Sequence, residues 1–81
     1  MITKCSVVGL TSVRSFVKGD KEVFCQDLYL SIDDPRVSGM KVLHYLLFNP
    51  KAPVALGDEF VCCLDKYGNR IESLVAVESI L

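Results

Sequence analysis

The chain has 81 residues, 51% of them hydrophobic, and nine basic against ten acidic side chains give a net charge of −1. That length supports a single domain, residues 1–81, with enough apolar material for a core, which excludes a disordered tail. The near-balanced charge excludes a polycation, and no apolar run reaches the roughly 18 to 20 residues that a membrane-spanning helix needs.

Residues 2–9 are rich in β-branched side chains and read as a first strand. The apolar stretch behind Lys4, Cys5 to Leu10, is short and holds Ser6 and Gly9. It does not fit a signal peptide, so a cytoplasmic location is expected.

Residues 12–17 form a second strand, followed by Lys18-Gly19-Asp20-Lys21. Glycine at the first central position suits a type II′ turn, so residues 22–32 are predicted to return as a hairpin. That register sets Lys18 opposite Lys21, Phe16 opposite Val23 and Arg14 opposite Cys25. Side chains alternate across a strand. One face therefore carries Arg14, Phe16, Lys18, Lys21, Val23, Cys25, Asp27 and Tyr29. The other carries Val13, Val17, Phe24, Leu28, Leu30 and Ile32, and is expected to meet the core.

Asp33-Asp34-Pro35 and Ser38-Gly39 mark the next connection, and acids followed by proline read as a solvated turn rather than a cation site. Residues 40–48 are apolar on both faces apart from Lys41 and His44, as in a central strand. His44 is expected to be a hydrogen-bonded core or interface histidine. Leu43, Tyr45 and Leu47 form a face for the core or for a second copy. Two apolar faces are hard to cover within so small a chain, so a homodimer is expected.

Asn49-Pro50-Lys51-Ala52-Pro53 ends that strand, because proline cannot donate to a ladder. Residues 59–64 form a fifth strand. Asp65 to Asn69 is a second hairpin turn, with Gly68 available for a left-handed position. Residues 70–77 close the chain, with Ile71, Val75 and Val77 predicted on one face. Periodicity alone also allows a helix over 40–48 or 70–81. The β-branched content and regular turn spacing favour strands. The expected fold is all-β, a small five- to six-stranded OB-fold-like Greek-key barrel with a projecting hairpin wing.

Cys5, Cys25, Cys62 and Cys63 each sit in an apolar or strand-like run, where free cysteine behaves as a small hydrophobe. Cys62 and Cys63 are adjacent and point to opposite faces of a strand, so reduced thiols are expected. No C-x-x-C pair accompanies the single histidine, and no pattern sets His44 beside a thiol. The chain therefore calls for no metal, no cofactor and no catalytic residue, and an enzyme is not expected.

The first hairpin carries the functional signal, because cations for phosphates and flat rings for bases are what single-stranded nucleic acid requires. Charge is segregated along the chain. Residues 1–21 carry +3, from Lys4, Arg14, Lys18 and Lys21 against Asp20, whereas residues 22–34 carry −4. Screening confines such fields to roughly 8 to 10 Å, so a basic face can exist on a net-acidic protein. With few cations to engage, weak sites multiplied by oligomerisation suit this chain better than one tight site.

The order of these features resembles the filamentous-phage gene V-type single-stranded DNA-binding proteins, also called helix-destabilising proteins. The similarity rests on the basic hairpin Arg14 to Lys21, then Gln26 and Tyr29, the apolar run Val42 to Phe48, the connection Asn49 to Gly57, and Tyr67-Gly68 at the second hairpin tip. It spans nearly the whole chain as spacing and residue type rather than identity. It implies an OB-fold homodimer of a phage or mobile element that coats single-stranded DNA, in a bacterial host cell. It also implies that Arg14, Lys18 and Lys21 contact phosphates, that Phe16 and Tyr29 offer stacking surfaces, that Tyr67 stacks on bases held by the partner subunit, and that Arg70 adds a phosphate contact. The low net charge, and Asp20 and Asp27 within the proposed face, depart from the family. RNA is the other polynucleotide this chemistry admits. The alternative reading is a small protein–protein interaction subunit without nucleic-acid binding.

Overall fold

Six strands are the regular elements of the computed structural model, which describes residues 1–33, 41–50 and 52–77. They are β1 (Ile2–Leu10), β2 (Arg14–Lys18), β3 (Lys21–Asp33), β4 (Lys41–Phe48), β5 (Glu59–Leu64) and β6 (Ile71–Ala76). Both segments that periodicity left open to a helix contain strands. The expected turn residues Asp34, Pro35, Ser38 and Gly39, together with Lys51, lie outside the described residues.

β3 is the spine. One edge pairs with β1 along Leu28–Asp33 and with β2 along Lys21–Cys25, while the other edge pairs with β4 along Cys25–Ile32. β1 also pairs with β5, and β5 with β6, every pair antiparallel. β6 then comes round beside β4, with no ladder between them among the described residues. The sheet thus curls into the partly open barrel that the turn spacing predicts.

β1 and β2 occupy the same edge of β3 like one broken strand. Thr11 bridges the break: its N–H donates to the Asp27 carbonyl at 3.1 Å, and its carbonyl accepts from Gln26 Nε2 at 2.8 Å. Gln26 is buried because that bond satisfies its amide.

Cys5, Val7, Leu28, Leu30, Ile32, Cys62, Leu64 and Ile71 form the core, and Leu43, Tyr45 and Leu47 pack against it. Leu28 and Leu30 are wholly buried. All four cysteines are free thiols, and burial pushes that of Cys5 up to about 12, which leaves it unreactive.

Three expectations need correction. β6 carries an extra residue, Glu72, between the pairs Leu64–Ile71 and Cys63–Ser73. This bulge reverses side-chain parity. Leu74 and Ala76 therefore join Ile71 facing inward, and Val75 points out. Phe24 is not core, and neither are Val13 and Val17: all three are exposed, because β2 pairs with β3 alone and the wing is not closed into the barrel. His44 is hydrogen-bonded, as expected, to Asp27, but it is not a core residue: it pairs with Tyr29 in register and stands on the outer face.

Candidate nucleic-acid interface

Gly19 takes a φ of 64° while Asp20 stays out of the left-handed region, the pattern of a type II′ turn. The turn fixes the register, with Lys18 opposite Lys21, Phe16 opposite Val23 and Arg14 opposite Cys25. Directly paired residues project to the same side of a sheet, so Arg14, Phe16, Lys18, Lys21 and Tyr29 share the outer face.

β4 extends this face through Phe48 opposite Cys25, Leu46 opposite Asp27, and His44 opposite Tyr29. Phe16 is 41% exposed, Tyr29 42% and Phe48 53%. Tyr29 and His44 sit with ring centroids 5.3 Å apart and planes tilted by 49°. Successive outward residues of a strand are roughly 6.6 Å apart, so Phe16, Phe48 and the Tyr29–His44 pair are spread along the sheet rather than clustered. Cys25, expected on the outer face, is there in register but is buried between Arg14 and Phe48.

Asp27 lies in the middle of the face rather than at its border. One carboxylate oxygen pairs with Arg14, and the other accepts from His44 Nε2 at 2.7 Å. Its backbone N–H donates to Thr11 Oγ1 at 3.2 Å. The hydrogen bonds from His44 and Arg14 hold this carboxyl below the ordinary aspartate value, and the Arg14 guanidinium is correspondingly raised. Lys18 and Lys21, at the wing tip, have no carboxylate partner among the described residues.

Tyr67 and Arg70 stand apart from this group. Gly68 adopts a φ of 69° at the β5–β6 turn, Tyr67 is 71% exposed, and Lys66 Nζ lies 5.0 Å from its ring centroid. Lys41 Nζ donates to the Gly68 carbonyl at 2.6 Å and to Asn69 Oδ1 at 2.9 Å, tying this tip to the start of β4. Lys41 pairs with Ile32, at the end of β3 away from the wing. The run of β3 from Lys21 to Ile32 therefore separates the two tips, on the order of 35 Å for a straight strand. Asn69 N–H donates to Asp65 Oδ1 at 2.9 Å, and this bond is the main reason that carboxyl is lowered.

Sequence reasoning missed Phe48 and His44 as members of the face. Alternation within residues 40–48 groups Val42, His44, Leu46 and Phe48, but which group faces out depends on the pairing with β3. Behind the wing, a hollow of about 500 Å³ is lined by Val13, Phe24, Gln26, Pro50, Pro53 and Val54. Among the described residues no cluster of three or more acidic, histidine or cysteine side chains can hold a metal ion, and no helix is long and apolar enough to cross a membrane. No protein-family model matches the chain, and neither a curated protein nor a solved structure matches it.

Proposed function

We propose that the chain binds single-stranded DNA without sequence preference, laying the strand across the outer face of β2, β3 and β4. The observation that carries this reading is the exposure of Phe16, Phe48 and Tyr29 on the same face as Arg14, Lys18 and Lys21. The rings accept bases by stacking, which tolerates any sequence because every base has a flat face. The lysines of the wing neutralise phosphates and displace their counterions. No base-edge code is required, which suits a protein that coats a strand as the gene V-type proteins do.

Tyr67 and Arg70 extend the proposal to a homodimer. They lie too far from the wing to meet the same few nucleotides within one chain, so in this reading they serve the strand held by the partner subunit. Linking two modest sites raises affinity through effective concentration.

Titrating oligo-dT, followed by tyrosine fluorescence or anisotropy, tests the reading. Binding at roughly 50 mM salt that weakens steadily as salt rises is expected. No binding at that salt overturns it. The protein–protein reading is favoured by the apolar hollow behind the wing. Partner capture that persists in Phe16→Ala and Phe48→Ala, with no nucleic acid retained, would decide for it.

A further inference from the structure

The outer face contains one feature that a simple cation-and-ring surface does not need. Asp27 is charged, its side chain is only 15% exposed, and it sits between two donors that could serve a phosphate. Arg14 reaches it from β2 and His44 from β4, each as a diagonal neighbour across the sheet. Thr11 Oγ1, from the break between β1 and β2, approaches the same carboxylate at 3.5 Å. These donors converge on the carboxylate as donors converge on a phosphate oxygen pair.

We propose that Asp27 is an internal competitor for phosphate, occupying Arg14 until a polynucleotide phosphate takes its place. This rests on the single-stranded DNA reading above. The Arg14 side chain is 56% exposed, and an ion pair so open to water is weak, so exchanging a carboxylate for a phosphate costs little. His44 keeps the displaced carboxylate partnered, and Asp27 is not left as a bare charge beside the DNA. Wild-type affinity then comes mainly from Lys18, Lys21 and the rings, and Arg14 is a reserve contact. The arrangement holds affinity low at each site while leaving it sensitive to local phosphate density.

The test compares wild type, Asp27→Asn, Arg14→Ala and the double variant by oligo-dT titration across a salt series. In wild type only the minority of complexes in which a phosphate has displaced Asp27 engage Arg14, and freeing it makes that contact in all of them, so the Asp27→Asn protein should bind about five- to tenfold tighter at low salt. Its log-affinity against log-salt slope should steepen by about 0.7, the value for one contact on a single strand. The double variant should show the slope of Arg14→Ala alone, because no arginine remains to be freed. Asp27→Ala provides the same reading if the amide disturbs folding, as judged by circular dichroism. Wild-type binding with an unchanged or shallower slope in both Asp27 variants would overturn the competitor role and leave the DNA reading intact. Absence of binding in every protein would overturn both. Binding in the Asp27 variants alone would overturn the DNA reading of the wild-type chain, and the competitor role with it.

Discussion

Tyr29 lies over Gly9: a Cβ placed on that glycine would stand 3.5 Å from the Cβ and Cδ2 of the tyrosine. The two are partners across the β1–β3 ladder, just beyond the bulge at Val8. Glycine therefore serves here by leaving room for a ring. A methyl group fits at ordinary contact distance, but a longer side chain must move the tyrosine. Gly9→Ala is expected to bind oligo-dT like wild type, whereas Gly9→Leu weakens binding several-fold without unfolding the barrel. Equal affinities for the two variants would show that the ring's position is irrelevant.

Phe48→Ala and Phe16→Ala should each lose one stacking surface, about 1–3 kcal/mol per base. The slope of affinity against salt should stay the same, since neither ring carries charge. Lys18→Ala and Lys21→Ala should instead lower the slope by about 0.7 each. Salt titrations of the four variants separate rings from charges, and a uniform response would contradict the division of roles.

Acid should loosen the fold through two carboxylates. Asp27 and Asp65 are both held below their ordinary value of 3.8, the first chiefly by His44 and Arg14, the second chiefly by the Asn69 amide. A depressed folded-state pKa contributes stability that is present above the unfolded value and disappears as pH falls through the folded value. Denaturation midpoints should therefore hold steady down to about pH 4 and decline below it. Asp65→Asn should flatten part of that decline, and a profile identical to wild type would remove Asp65 from the account.

Leu30 is wholly buried, with Val7 and Leu43 as its cross-strand partners. Leu30→Ala should cost about 2–5 kcal/mol through lost transfer energy and the cavity left behind. In a domain of this size that lowers Tm by about 8–40 °C. Phe24→Ala, on the open side of the wing, should shift Tm far less. Thermal melts of the two variants measure where the core ends.

Local chemistry made the wing legible. Gly19 sets the turn, the turn sets the pairing of Arg14 with Cys25 and Phe16 with Val23, and alternation carries the cations and rings to one side. The strand positions were equally readable, because proline, glycine and aspartate interrupt β-branched runs at regular intervals. Each of these rests on contacts a few residues apart in the chain.

What the tertiary structure alone decided involves partners distant in sequence. The pairing of β4 with β3 turned His44 and Phe48 outward and buried Cys25 beneath side chains from both neighbouring strands. The pairing of β2 with β3 alone left Phe24 open, and a single extra residue at Glu72 exchanged the inner and outer faces of β6. A strand's alternation says which residues travel together. Which side they are turned to is set by how much apolar area each side can bury once the sheet has closed, and that depends on the whole chain.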